Sequence, residues 1–272
     1  MAGWLNARRR RRILAEPFPS EWDGYLDDNV AFARRLDPAA RAKLRELVQI
    51  FVAEKHWEGC GGLELTDEMK VTIAAQACVL VLGRDDSLYK DVASILVYPS
   101  NMISPPRQLG VFEQARAPIG HGTTISGQAI LGGPVILAWD SVLAGGREEV
   151  SGNVVFHEFA HKLDMATGAI NGTPPLESKA QFQRWAEVCS AAYDEHRTRA
   201  ELGLPTVMDH YGATNEAEFF AVATESYFLQ PGALACEHPA LYAALADFYQ
   251  ITPSRDRSRA LASWPFWSPP SF

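Results

Sequence analysis

Val154-Val155-Phe156-His157-Glu158-Phe159-Ala160-His161-Lys162-Leu163-Asp164-Met165 reads as one apolar helix with two histidines and a glutamate set into it. His157 and His161 are four apart, so a helix stacks both imidazoles on one face, one turn apart. That spacing lets a nitrogen of each ring reach one Zn²⁺ at about 2.0–2.1 Å. Glu158 follows the first histidine and reaches a water beside such an ion. The pentapeptide alone arises by chance in roughly one random chain of this length in a hundred. Its setting adds weight. Val154, Val155, Phe156, Phe159, Ala160 and Leu163 make this a buried helix, where histidines and a carboxylate are costly unless paired or metal-bound. Lys162 breaks the pattern, because helices of this kind usually carry an uncharged residue there. It is expected to snorkel out to solvent.

A catalytic zinc takes three protein ligands and keeps one position open. No histidine follows six residues after His161: Thr167 stands there, and Asp164 replaces the glycine that such a turn requires. The best source of a third ligand is Tyr211-Gly212-Ala213-Thr214-Asn215-Glu216-Ala217-Glu218-Phe219-Phe220-Ala221. Asn215 can cap a helix, which puts Glu218 in the first turn. The same pair is close to a capping box, and a first-turn acid suits the helix dipole without any metal. The incomplete zinc site upstream makes ligation by Glu218 the leading assignment. Glu216 points about 200° away from Glu218 around the helix, so both cannot face one ion. Glu225, two turns beyond Glu218 on the same face, is a reserve ligand or an acid behind the ligands. Asp164 faces the side of His157 and His161; it either holds an imidazole N–H or simply lies near the helix end.

His157–His161 with Lys162-Leu163-Asp164, followed by Tyr211…Glu218-Phe219-Phe220-Ala221-Val222…Glu225, resembles the Mlc titration factor A family of bacterial zinc metallopeptidases. The similarity extends over most of the chain and includes Leu96-Val97-Tyr98-Pro99 and Gly133-Pro134-Val135-Ile136-Leu137. The Tyr211–Glu218 block is also similar to the catalytic segment of the lethal factor toxin protease. The resemblance implies a zincin-like metallopeptidase with a gluzincin-type site. His157, His161 and Glu218 would hold one Zn²⁺, Glu158 would be the base, and Tyr211 the oxyanion donor, with His210 beside it as the competitor. It implies hydrolysis of peptide bonds, an aminopeptidase-type activity included, and regulation through a glucose-responsive repressor of the Mlc type. The alternative is a non-proteolytic protein that sequesters such a repressor on a zincin scaffold. The Arg8–Arg12 run is atypical for the family, and nothing is carried over to it.

The rest of the chain supplies the frame. With 272 residues, 47% of them hydrophobic, it can bury a substantial core, which excludes disordered, collagen-like and disulfide-scaffold classes. Asp37-Pro38 opens a helix. A second runs from Thr66 to Leu82, apolar over much of its circumference but interrupted by Thr72 and Gln76. Ala93–Tyr98 and Pro134–Trp139 read as strands, and Gly145-Gly146 breaks the chain. Further helices are expected over Ser178–Arg199, Asn215–Leu229 and Pro239–Tyr249. The fold class is therefore α+β, with a small mixed sheet and a largely helical second half. One domain is expected over 21–262, its helical part reaching to about 90. It is flanked by a mobile basic tail (1–20, with Arg8–Arg12) and a proline- and aromatic-rich tail (263–272). Pro99–Ser126 is a long loop, of a length that in a compact domain is functional or partly ordered elsewhere. Ala93–Tyr98 and Gln128–Trp139 are candidate edges for pairing with a peptide or protein substrate.

The net charge of −8 argues against direct nucleic-acid binding. No apolar run reaches membrane-spanning length, and Ile13-Leu14-Ala15, the apolar segment after the arginines, is too short for a secretory core, so a cytoplasmic protein is expected. The 4 cysteines are scattered without a Cys-x-x-Cys pair, which points to reduced thiols and a metal site of nitrogen and oxygen.

Overall fold

The computed structural model describes residues 2–84, 86–103, 124–148 and 150–253. The expected tail 263–272 and most of the Pro99–Ser126 loop lie outside them. The N-terminal part is helical: α1 (Ala2–Ala15), α2 (Ser20–Asn29) and α3 (Pro38–Glu54). Asp37 caps α3, accepting from the backbone N–H groups of Ala39 and Ala40. Strand β1 (His56–Gly59) follows, then α4 (Asp67–Val79), capped by Thr66. Every residue from Val71 to Val79 is buried, as expected for a helix apolar nearly all round.

The arginine run is not a free tail in this structure. It lies within α1, which packs along α3. Five consecutive arginines point all round a helix, and only part of that circumference meets α3. There Arg10 Nε and Nη2 each donate to the Glu54 carboxylate at 2.8 Å. Gln49 Nε2 closes the contact by donating to the carbonyls of Ile13 and Glu16, both at 2.9 Å.

The sheet is small. Its strands are β1, β2 (Ser94–Tyr98), β5 (Gly127–Ala129) and β6 (Val135–Ala138), in the order β1-β2-β6-β5; β3 (Met102–Ile103) and β4 (Thr124–Ile125) form a separate pair. β1, β2 and β6 run parallel, and β5 is antiparallel to β6. The expectation that Ala93–Tyr98 is an edge is corrected: β2 lies inside the sheet, and its Ile95 and Val97 are fully buried. β5 is the edge on the side of the histidine helix.

Gly145 and Gly146 do not break the chain. They end α5 (Trp139–Gly146), which follows β6 directly. A Cβ on Gly146 would stand 2.4 Å from the Asn29 carbonyl oxygen, so glycine is what lets α5 close onto α2. Next come α6 (Val154–Met165), α7 (Lys179–Glu201), α8 (Glu216–Leu229), α9 (Pro231–Glu237) and α10 (Pro239–Tyr249). Asn153, Ser178 and Asn215 cap α6, α7 and α8 through their side chains. α6 lies against α8, with Phe156 and Phe228 5.4 Å apart between ring centroids, and Phe228 meets Tyr249 of α10 at 5.0 Å. Burying each such phenylalanine contributes roughly 1.5–3 kcal/mol. Among the described residues no helix is long and apolar enough to cross a membrane.

Candidate metal centre

The crossing of α6 and α8 brings the first turn of α8 over the two histidines. His157 Nε2 is 3.0 Å and His161 Nε2 3.3 Å from the same oxygen of Glu218, Oε2. One ligand atom from each of these three residues lies within 4.8 Å of the other two. Four ligands arranged tetrahedrally about an ion at 2.0–2.1 Å stand about 3.3 Å from one another, so both distances to Glu218 Oε2 are close to what zinc needs. Two imidazole nitrogens and a carboxylate oxygen also suit zinc chemically. The side chains are largely buried, with His157 15% and Glu218 18% exposed, which leaves the cluster open on one side.

Glu225 stands behind the first histidine. Its Oε1 accepts from His157 Nδ1 at 2.8 Å, and its Oε2 accepts from the Asn153 backbone N–H at 2.6 Å. A carboxylate can only accept, so Nδ1 carries a proton toward Glu225, and Nε2, which faces Glu218, is the nitrogen left for a metal. Of the two roles left open for Glu225, the geometry matches the acid behind the ligands. Burial opposes protonation of His157, but the bonds to Glu218 and Glu225 prevail and raise its pKa to about 10. Glu218 is affected in the opposite sense: burial would raise its pKa, and the bonds from His157 and His161 hold it at about 2. Three carboxylates around two imidazoles make a site that attracts a divalent cation.

Glu158 is buried beneath β5. A Cβ on Gly127 would come within 2.7 Å of Glu158 Cγ, so the strand rests directly on the acid. Burial raises the Glu158 pKa, and the two imidazoles and the Ala129 backbone oppose that rise. Tyr211 sits on a short 3-10 turn, His210–Ala213, where Asp209 Oδ1 accepts the Tyr211 N–H at 2.8 Å. Its ring lies 6.0 Å from that of His157 and is 55% exposed. Partial burial and the negative charges of Glu218 and Glu158 raise its pKa, so the hydroxyl keeps its proton. His210 is turned to the Leu204 carbonyl, with which its Nε2 pairs at 2.9 Å. Glu216 is exposed, as its helical angle requires.

One expectation, for Lys162, is corrected, and one open alternative, for Asp164, is closed. Lys162 does not snorkel outward; it is 5% exposed, and its Nζ donates to the carbonyls of Ile130 at 2.7 Å and Gly133 at 2.8 Å. It shares a face with Glu158, and that face lies under the β5–β6 turn. Asp164 does not hold an imidazole. Its carboxylate accepts the backbone N–H groups of Asn171, Gly172 and Thr173 at 3.0, 2.9 and 2.8 Å, which secures the loop after α6. His161 Nδ1 is buried without a partner among the described residues. Sequence reasoning missed Gly127, for which no local signal exists.

A cavity of about 1350 Å³ opens beside the cluster and runs from His157, Tyr211 and Glu225 past Val207 to Arg34 and Arg147. The chain is similar to known proteins over most of its length. The chain is 39% identical over 254 residues to the uncharacterized protein slr2042 of Synechocystis, covering 92% of this chain and 90% of that protein. It is 31% identical over 228 residues to Mlc titration factor A of Klebsiella pneumoniae strain 342, covering 80% and 82%. The corresponding protein of Escherichia fergusonii is 30% identical over 240 residues, covering 85% and 86%. The family model described as glucose-regulated metallo-peptidase M90 matches residues 4–250, a span that takes in α1 with its arginines as well as α6 and α8. A match of that extent, over a helix pair whose histidines and glutamate converge as a metal requires, places the chain in the glucose-regulated metallo-peptidase M90 family.

Proposed function

We propose that the chain hydrolyses peptide bonds in a zinc-dependent reaction, with His157, His161 and Glu218 as the ligands of one Zn²⁺. The observation that carries the reading is the meeting of both histidine Nε2 atoms on Glu218 Oε2, one residue away from a buried glutamate. Zinc bound there would supply Lewis acidity, polarising a substrate carbonyl and lowering the pKa of a water toward about 7. Glu158 takes the proton of the attacking water and passes it to the leaving amine. The Tyr211 hydroxyl donates to the oxyanion that develops on the substrate. Glu225 keeps His157 in the tautomer that offers Nε2. β5, an edge strand resting on Glu158, supplies main-chain groups for an extended peptide.

Metal analysis paired with turnover of a peptide panel tests this reading. Glu158→Gln is expected to keep zinc and lose activity by about 10²–10⁴-fold. Glu218→Ala is expected to lose zinc. Tyr211→Phe should keep zinc and lose about 10²–10³-fold in kcat. Full activity in Glu158→Gln overturns the mechanism. Peptides with free and blocked N-termini in the same panel decide whether the activity is of the aminopeptidase type.

A second reading rests on the name of the relatives, Mlc titration factor A. On it, the chain acts in the cytoplasm by binding a glucose-responsive repressor of the Mlc type. Its acidic excess suits a basic partner surface. A pull-down with Glu218→Ala separates the two: repressor capture without metal, together with no cleavage of any peptide, favours sequestration.

A further inference from the structure

His157 is tied to residues two helices away by a chain of buried hydrogen bonds. Beyond Glu225 the chain passes through Asn153, whose backbone N–H donates to Glu225 at 2.6 Å. The Asn153 side chain is used twice more. Oδ1 accepts the Phe156 N–H at 2.9 Å, and Nδ2 donates to Gln76 Oε1 at 2.7 Å. Gln76 Nε2 then donates to the carbonyls of Val142 at 3.2 Å and Thr72 at 3.3 Å. Asn153 is 2% exposed and Gln76 0%, so water does not compete for these bonds.

Donor and acceptor chemistry sets the orientation of both amides. The Phe156 N–H requires an oxygen, and two carbonyls require the Gln76 amino group. Gln76 Oε1 is therefore left for Asn153 Nδ2. The end of α5 is shaped around this pair. A Cβ on Gly145 would stand 2.9 Å from Asn153 Cα, and one on Gly146 would stand 2.7 Å from Gln76 Nε2. A glutamine that served packing alone could be a methionine of nearly the same shape. Here it is a polar group in a fully buried stretch of α4, and its Oε1 holds the residue that holds Glu225.

We propose that Gln76 and Asn153 are positioning residues for the metal centre, acting through Glu225 to keep His157 oriented with Nε2 free for the ion. The proposal rests on the reading of His157 as a metal ligand. It reaches one step beyond the carboxylate that touches the ligand. Partners of that outer kind commonly change metal affinity 10–100-fold when removed.

The test is zinc affinity of the full chain, read by competition with a chromophoric chelator, with thermal unfolding of the metal-free proteins measured alongside. Four proteins are compared: wild type, Gln76→Met, Glu225→Gln and the double variant. Gln76→Met is expected to weaken zinc binding by about 10-fold. That loss should vanish in the Glu225→Gln background, because both changes release the same constraint. A purely structural role would lower the unfolding temperature and leave zinc affinity unmoved. Unchanged affinity in a folded Gln76→Met, or a loss that adds in full to that of Glu225→Gln, overturns the proposal. Should Gln76→Met fail to fold, Asn153→Asp decides. It keeps the helix cap and loses the Nδ2 donor, so the same weakening is expected and unchanged affinity overturns the proposal. A wild type that binds no zinc overturns the metal-site reading itself, and this proposal with it.

Discussion

Gly127 on β5 lies directly over Glu158: a Cβ there would stand 2.8 Å from Glu158 Oε1. The edge strand and the acid are thus set against each other, and any side chain at 127 must displace one of them. Gly127→Ala is expected to lower kcat by about 10²-fold, as a displacement of about 1 Å in a catalytic group can. Zinc content should not change, because the glycine touches no expected ligand. Turnover of the best panel peptide, with metal analysis of the same sample, checks this; wild-type turnover would show that Glu158 does not depend on β5.

Lys162 fastens the other end of that strand to α6. Lys162→Met removes two charge-assisted bonds, to Ile130 and Gly133, and leaves both carbonyls without that donor. A loss of about 2–3 kcal/mol in unfolding free energy is expected. If β5 binds the peptide as proposed, KM for peptides should rise more than kcat falls. Denaturant titration and steady-state kinetics give both numbers, and unaltered stability would refute the role.

Asp164 serves the fold rather than the imidazoles. Asp164→Ala strips the Asn171 and Gly172 N–H groups of their acceptor, leaves the Thr173 N–H only Asn171 Oδ1, and is expected to cost about 3 kcal/mol. Zinc affinity should fall less than in Glu225→Gln. A metal loss as large as that of Glu225→Gln, with stability preserved, would return Asp164 to the metal site.

His196 makes the turn that carries Tyr211 sensitive to acid. It is fully buried; its Nε2–H donates to the Asp209 carbonyl at 3.0 Å, and its Nδ1 has no partner among the described residues. Burial lowers its pKa, the Asp209 carbonyl opposes this, and His210 and His238 nearby lower it further. The folded pKa therefore lies below the unfolded value of about 6.5. As pH falls, the unfolded chain takes up the proton first. The contribution of His196 is then complete above about pH 6.5 and is lost progressively below it. His196→Gln keeps a donor for Asp209 without titrating, so its stability should fall less between about pH 7 and pH 5 than that of wild type. Urea denaturation at the two pH values measures the difference; equal losses would exclude His196 as the source.

Helix starts are the most legible part of the fold. Asp37, Thr66, Asn153, Ser178 and Asn215 cap their helices by accepting N–H groups two or three residues on. Such bonds are local, so side-chain identity and spacing reveal them. α1 reads as a mobile tail in the sequence because charge periodicity alone does not disclose that Arg10 has Glu54 to meet, 44 residues away. β2 reads as a possible edge because its sequence is equally consistent with a strand flanked on one side or on both.

The amino-acid sequence by itself determined the histidine helix and the α+β class, since these depend on spacing within each element; Glu218, on another helix, came as the expected third ligand from the incomplete zinc site and the resemblance. Only the tertiary structure decided what surrounds that helix. Glu225 meets His157 across 68 residues, Lys162 meets Ile130 across 32, and Asn153 meets Gln76 across 77. Where such partners lie depends on how α4, α8 and β5 pack against α6. Helical spacing says which side a residue faces and leaves open which element it will find there.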